Sequence, residues 1–166
     1  MHLVSACTMK YFQDVAIGEL CQVRLGGNGN GWVVPLQRDG AKTLVAILKI
    51  GDEVRPMIHE MNGFRGECLS FGSDWQIETD LSEVETKKGL HRETAGSIHL
   101  HSTGTTMYLS PFMTEVLDEG YPIDLPSLEH GKVPHDAIAV LRWKLWANEA
   151  SRLKPGASPL IEFSGH

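Results

Sequence analysis

The sequence predicts a mainly β (α+β) fold: an antiparallel barrel or sandwich of about seven to nine short strands with one C-terminal amphipathic helix. Three observations support this prediction. The chain of 166 residues contains 17 glycines and 8 prolines, which suits a fold with many turns. Apolar runs of strand length alternate with turn residues along most of the chain. One stretch near the C-terminus instead repeats its apolar residues at helical spacing.

The clearest strand pair lies at residues 31–49, where two apolar runs flank an Arg38-Asp39-Gly40 turn. Asp-Gly between apolar runs is a strong hairpin signal, because glycine accepts the positive φ that a tight turn requires. The second run, residues 44–48, has no polar member, so we expect a strand that is buried on both faces. Pro35 cannot donate a hydrogen bond to a neighbouring strand, so the first run is predicted at an edge or a bulge.

A C-terminal helix is predicted at about residues 134–154. Pro134 and Asp136 are typical of a helix start, and the Lys-Pro-Gly at residues 154–156 is typical of a helix end. Apolar residues between them form two stripes: Ala139, Trp143, Trp146, Ala150 and Leu153 on one face, and Ile138, Leu141 and Leu145 on another. One stripe must dock on the sheet, and the other is either covered by residues 112–133 or exposed for a partner.

Four residues of this helix are the predicted interface residues: Trp143, Trp146, Leu141 and Leu145. Tryptophan anchors either a core or a protein interface, so both roles stay open. If one stripe is exposed, we expect the protein to be a homo-oligomer that associates through this helix.

Length and composition indicate one domain, with a single β-rich unit at residues 10–166 and a disordered N-terminal extension at residues 1–9. The hydrophobic fraction of 42% and the charged fraction of 22% are ordinary for a globular protein.

The formal net charge of −6 argues against non-specific binding to nucleic acid. No apolar run approaches the roughly 18 residues of a membrane span. We therefore expect neither a nucleic acid nor a membrane as partner.

The three cysteines, Cys7, Cys21 and Cys68, are far apart and belong to no CxxC pair. Their number and spacing exclude a disulfide framework and a zinc ribbon. We expect reduced, buried or partly buried thiols in a cytoplasmic protein. Cys68 would be a nucleophile only if His59 or His91 approached it, since most single cysteines serve in packing.

A pair of histidines is the sharpest candidate for chemistry. Residues 96–110 predict a hairpin across Thr103-Gly104, with His99 and His101 on its first strand. Residues i and i+2 of a strand share a face, so these two Cα atoms should lie about 6.5–7 Å apart. Two imidazoles at that spacing can bind one divalent transition metal if a third ligand is present. The third ligand is expected to be His59 or His91, and three carboxylates are also eligible by type: Glu60, Glu67 and Glu78.

A strand carrying His-x-His resembles the first half of the cupin metal motif. The Glu that follows in that motif has no counterpart in residues 102–106, so no family is inferred. The structural alternative places both histidines on the solvent face of an amphipathic strand, with Ile98 and Leu100 facing the core.

Two functions follow from these observations. The leading hypothesis is a non-enzymatic cytoplasmic module that binds a small ligand or a protein partner and self-associates. The alternative is a metal-dependent enzyme built on His99 and His101.

The glycine-rich residues 26–31 precede a predicted strand and not a helix, so they do not form a nucleotide-binding loop. No GxSxG motif is present to place a serine nucleophile.

Overall fold

A computed structural model describes residues 7–82, 84–85, 95–112 and 121–165. Its strands are β1 (Thr8–Tyr11), β2 (Cys21–Arg24), β3 (Asn30–Asp39), β4 (Lys42–Ile50), β5 (Met57–Asn62), β6 (Glu67–Ser70), β7 (Gln76–Thr79), β8 (Val84–Glu85), β9 (Ile98–His101), β10 (Gly104–Pro111), β11 (Tyr121–Asp124), β12 (Ile138–Val140), β13 (Arg142–Trp146) and β14 (Ile161–Ser164). The α-helix found in these residues is α1 (Glu149–Leu153), and short 3-10 helices span Phe12–Asp14 and Gly26–Asn28.

The described strands form two sheets. The larger runs in the order β1-β6-β2-β3-β4-β5-β10-β9-β12-β8, with β11 also paired to β10. Its pairings are antiparallel apart from the parallel contact between β5 and β10. The smaller sheet has the order β14-β13-β7. The β-rich class is confirmed, but the larger sheet is not closed into a barrel, and the described residues contain more strands than the seven to nine that we predicted.

The central hairpin is confirmed. β3 and β4 pair from Gly31 opposite Ile50 to Asp39 opposite Lys42, and Gly40 in the turn has a φ of +56°. The register shifts between Pro35 and Gln37, which is the bulge that the proline predicts. The alternative edge position is wrong, because β3 lies between β2 and β4.

The hairpin is buried on both faces, and each face belongs to a different core. Val34, Ala46 and Leu48 point into one cluster, which also contains Trp143 and Phe163 of the smaller sheet. The alternating residues of the same strands, among them Val33, Val45 and Ile47, point into a second cluster with Phe12 and Val15. Strand periodicity therefore explains why residues 44–48 carry no polar side chain. The first cluster packs the smaller sheet against the larger one.

The predicted helix at residues 134–154 is wrong, because residues 138–140 and 142–146 form β12 and β13. Arg142 and Lys144 are exposed while Trp143 and Leu145 are buried, which is the alternation of a strand. The helix begins only at Glu149, where the side chain of Asn148 accepts a hydrogen bond from the Ser151 N–H. The predicted stop is correct, since α1 ends just before Lys154-Pro155-Gly156.

The predicted N-terminal extension lies partly outside the described residues, which begin at Cys7. Thr8 and Met9 belong to β1, so the ordered chain begins before the expected Lys10. In the part of the chain that the structure describes, no helix is long and apolar enough to cross a membrane.

Candidate functional site

The two predicted metal ligands lie on the same face of β9. His99 is buried, with 3% of its surface exposed, and its Nε2 atom is 2.9 Å from the Ser97 hydroxyl. The ring of His101 is bracketed by two hydroxyls: Nδ1 lies 2.9 Å from Thr103 Oγ1, and Nε2 lies 2.9 Å from Thr106 Oγ1. The expectation that both histidines lie on a solvent face is wrong for His99.

A row of polar side chains crosses the sheet at this point. Thr106 of β10 is opposite His99 on one side and Asp124 of β11 on the other. Hydrogen bonds from Ser127 lower the pKa of Asp124, and the nearby charge of His101 lowers it further. Thr106 and Ser97 are each only 1% exposed. Buried polar groups need hydrogen-bond partners, and these side chains provide partners for one another. A structural role is therefore enough to explain this row of polar residues.

The expected third metal ligand is not near the pair. Ile58 of β5 is opposite Pro111 of β10, whereas His99 of β9 is opposite Thr106 of β10. Measured along β10, His59 therefore lies roughly 20 Å from His99. His59 instead contacts Phe112, with ring centroids 4.5 Å apart, and burial lowers its pKa. His91 lies outside the described residues. No group of three potential ligands suited to a metal ion occurs among the residues that the structure describes. Metal binding by His99 and His101 stays a prediction.

The predicted interface residues lie inside the protein. Trp143 is 1% exposed, Leu145 0% and Trp146 7%. The Trp143 indole donates to the Gly96 carbonyl at 2.7 Å and stacks on Phe163 with ring centroids 5.1 Å apart. Because no helix presents these residues to solvent, the interface prediction is wrong, and Leu141, which is half-buried, does not form an exposed stripe with them.

A cleft lies where the smaller sheet meets the loop after β11. Its volume is about 480 Å³, and it is lined by Gly18, Ser73, Trp75, Ile77, Thr105, Leu125, Pro126 and Leu128. Among the residues that the structure describes, no charged side chain lines it. Four of these residues, Trp75, Ile77, Leu125 and Leu128, also border a small void that reaches Val34, Ala46 and Leu48 in the main core. Clefts of a few hundred Å³ with apolar walls and a few polar groups are typical of small-ligand sites.

Leu128, which lines this cleft, has a strained backbone conformation. Its φ is +60°, and no other non-glycine residue in the described ranges has a positive φ. A bulky residue in this region costs about 1–3 kcal/mol, and such strain is common at ligand sites. The conformation is held by hydrogen bonds of the turn, in which the Leu128 N–H donates to the Asp124 carbonyl at 2.7 Å.

Gly18 also lines the cleft, next to Leu128. The Trp75 indole donates to the Gly18 carbonyl at 2.8 Å. A Cβ atom added to Gly18 would lie 3.1 Å from Leu128 Cδ1, and the φ of Gly18 is +85°. Leu128 therefore packs directly on Gly18, whose positive φ is free of strain only for glycine. The hydrogen bond from the Trp75 indole holds this backbone segment in place.

A larger groove of about 750 Å³ lies beside the smaller sheet, lined by residues 78–81, 142–144 and 162–164. Its charges compensate one another. Lys144 lies 4.0 Å from Glu162, with both side chains more than half exposed, and Glu78 accepts from the Trp146 indole at 2.8 Å. Exposed pairs of this kind are strongly screened by solvent. We therefore regard the smaller cleft, for which no charged side chain is found among the described lining residues, as the better candidate, although its volume is lower.

No protein family model, curated protein or solved structure matches this chain.

Sequence reasoning found only one wall of the cleft. Trp75 and Ile77 alternate with polar residues, which predicts a buried face for both. Residues 125–128 also line the cleft, and the sequence presents them as part of an irregular stretch at residues 112–133 that contains Pro122 and Pro126. A bulky residue with positive φ leaves no local sequence signal, because the positive φ depends on the turn that surrounds it.

The strain at Leu128 predicts that its glycine variant is more stable than its alanine variant, the reverse of the usual order. Both Leu128→Ala and Leu128→Gly remove the side chain, but glycine adopts a positive φ without cost. We expect the glycine variant to be the more stable of the two by about 1 kcal/mol in urea denaturation. Leu125, in the same cleft, has no positive φ, so Leu125→Ala should be more stable than Leu125→Gly. An alanine variant that is the more stable at position 128 would contradict the strain.

Proposed function

We propose that this protein is a non-enzymatic module that binds a small, uncharged and mainly apolar molecule in the cleft beside Leu128. The carrying observation is a cleft of about 480 Å³ whose described lining residues carry no charge and whose half-buried apolar side chains also border the core. Ligand binding would cover apolar surface that is now partly exposed on Trp75, Ile77 and Leu125, and burial of such surface is the main driving force for binding apolar molecules.

The polar groups of the cleft limit what the ligand can carry. The hydroxyls of Ser73 and Thr105 are the polar side-chain groups that line it besides the Trp75 indole, and the indole already donates to Gly18. A charged group would be desolvated here without a partner of opposite charge, which is costly. One hydroxyl or carbonyl group on the ligand could bond to Ser73 or Thr105, so an apolar molecule with a single neutral polar group fits best.

Titration with the uncharged fluorescent probe N-phenyl-1-naphthylamine tests this proposal. Thr105→Phe places a large side chain in the cleft, and we expect it to weaken probe binding at least about tenfold, which corresponds to about 1.4 kcal/mol. The matched control is Thr8→Phe, because Thr8 is exposed on β1 and does not line the cleft. Both variants should keep the unfolding midpoint of the parent chain. Binding that does not saturate, or that Thr105→Phe leaves unchanged, would refute the proposal.

A metal-dependent enzyme on His99 and His101 is the second candidate. One observation favours it: the Asp124 carboxylate and the His101 ring lie on either side of Gly104. A Cβ added to Gly104 would be 3.2 Å from Asp124 Oδ1 and 3.6 Å from His101 Cε1. Elemental analysis of untagged protein beside the His99→Ala/His101→Ala variant separates the two candidates. About one metal ion per chain that is lost in the variant supports the enzyme, and binding of the naphthylamine probe without metal supports the module.

Self-association is a separate proposal, and it must use a surface other than Trp143 and Trp146. Met9 of β1 is 69% exposed and is opposite Leu69 of β6, which is 38% exposed. Light scattering coupled to size exclusion measures the oligomeric state directly, and a monomer at high concentration would argue against self-association.

A further inference from the structure

Two buried thiols lie side by side on neighbouring strands. Cys21 of β2 is opposite Ser70 of β6, and Val23 is opposite Cys68, so the two cysteines are diagonal neighbours on one face of the sheet. Cys21 is 0% exposed and Cys68 4%. Cys21 Sγ lies 3.5 Å from the Val33 carbonyl oxygen, to which it donates. The pair belongs to the second core cluster, away from the residues that line the cleft.

The surroundings distinguish the two sulfurs. The interaction with the neighbouring Cys21 thiol lowers the pKa of Cys68 despite its burial; the charge of Lys10 adds to this effect and the charge of Glu19 opposes it. The same contact with Cys68, together with burial, raises the pKa of Cys21. Lys10 is opposite Cys68 in the pairing of β1 with β6, and its ammonium group is held 2.9 Å from Glu19. Of the two thiols, Cys68 therefore loses its proton more readily than Cys21.

We propose that Cys21 and Cys68 form a reversible intramolecular disulfide in the presence of a hydroperoxide. The Cys68 thiolate attacks the hydroperoxide, the O–O bond breaks, and the leaving oxygen takes up a proton and departs as water or alcohol. Cys68 is now a sulfenic acid. The Cys21 sulfur attacks this sulfur, the S–O bond breaks, and the departing hydroxide leaves as water with the Cys21 proton. Both thiols are oxidised by two electrons in total, and the peroxide is reduced.

The strand arrangement permits the movement that this bond requires. Diagonal neighbours have Cβ atoms up to about 7 Å apart, whereas a disulfide joins Cβ atoms about 3.8 Å apart. β6 has four residues, and beyond it lies only β1, a four-residue strand at the end of the sheet order. β6 is already paired with β2, so the required movement is a shift of β6 along β2, and the central hairpin lies on the other side of β2.

Peptide mapping of the unaltered full-length chain tests the proposal without any substitution in the core. The chain is first reduced, then treated with hydrogen peroxide, and the free thiols are alkylated. We expect a linked pair of peptides containing Cys21 and Cys68, the loss of both thiols from each chain, and their recovery with dithiothreitol. Cys7→Ser should give the same linked peptides, because Cys7 is not part of the pair.

Single variants separate the two roles. In Cys21→Ser the sulfenic acid on Cys68 has no partner, so a dimedone adduct should accumulate at Cys68. In Cys68→Ser we expect no adduct at Cys21. The proposal is overturned if the unaltered chain keeps both thiols free, if the linked peptides involve Cys7, or if the disulfide joins two chains. These outcomes do not depend on ligand binding in the cleft.

Discussion

Trp143→Ala should destabilise the protein by about 3–5 kcal/mol, the usual cost of removing a fully buried tryptophan. The side chain is 1% exposed, stacks on Phe163 and donates a hydrogen bond of 2.7 Å to the Gly96 carbonyl. Its removal leaves a cavity between the two sheets and an acceptor without its partner. Urea denaturation followed by circular dichroism measures the loss as a change in the free energy of unfolding.

The neighbouring residue provides the control for this measurement. Lys144 of β13 is exposed and lies 4.0 Å from an exposed glutamate, so Lys144→Ala should change stability by less than about 0.5 kcal/mol. An interface role for Trp143 predicts the opposite result: the alanine variant would dissociate an oligomer while each chain kept its stability. That outcome would contradict the position of Trp143 in the core.

Gly96→Ala should cost roughly 3 kcal/mol, because two penalties act at the same position. The φ of Gly96 is +89°, which alanine adopts only with strain, and an added Cβ would lie 2.6 Å from Phe163 Cε2 and 2.8 Å from Pro56 Cδ. The Gly96 carbonyl is also the acceptor for the Trp143 indole, so a backbone shift at this position would disturb that hydrogen bond. Thermal unfolding of the variant beside the parent chain gives the size of the loss.

Gly156 separates the two penalties. Its φ is +75°, and nothing lies within 4 Å of an added Cβ, so Gly156→Ala shows the backbone strain alone, about 1 kcal/mol. If Gly96→Ala costs no more than Gly156→Ala, then Phe163 and Pro56 move away freely, and the close packing around Gly96 is wrong.

The failure of the predicted C-terminal helix shows how two periods can coexist in one sequence. Ala139, Trp143, Trp146, Ala150 and Leu153 satisfy helical spacing, yet Arg142, Trp143, Lys144 and Leu145 alternate as a strand does. The strand forms because β13 pairs with β7 on one edge and with β14 on the other. Both partners are distant in sequence, so nothing local reports that they are available to pair with this segment.

The candidate site could be predicted only in part, for a similar reason. The alternation of Trp75 and Ile77 indicates one apolar wall, and the hairpin at residues 96–110 correctly places His99 and His101 on one strand, β9. The rest of the lining includes Leu128, whose positive φ is imposed by a turn that Asp124 and Ser127 hold together. The diagonal contact of Cys21 with Cys68 likewise requires the register of β2 against β6.

The sequence by itself determined the β-rich class, the central hairpin with its bulge at Pro35 and the end of the last helix. These features depend on turn residues, on apolar periodicity and on the missing N–H of proline, all of which act over a few neighbouring residues. Only the tertiary structure decided that the tryptophans belong to the core, that a cleft opens beside Leu128 and that two thiols meet. Each of these features joins segments far apart in the chain, and their pairing reflects the burial of complementary surfaces, which no single segment encodes.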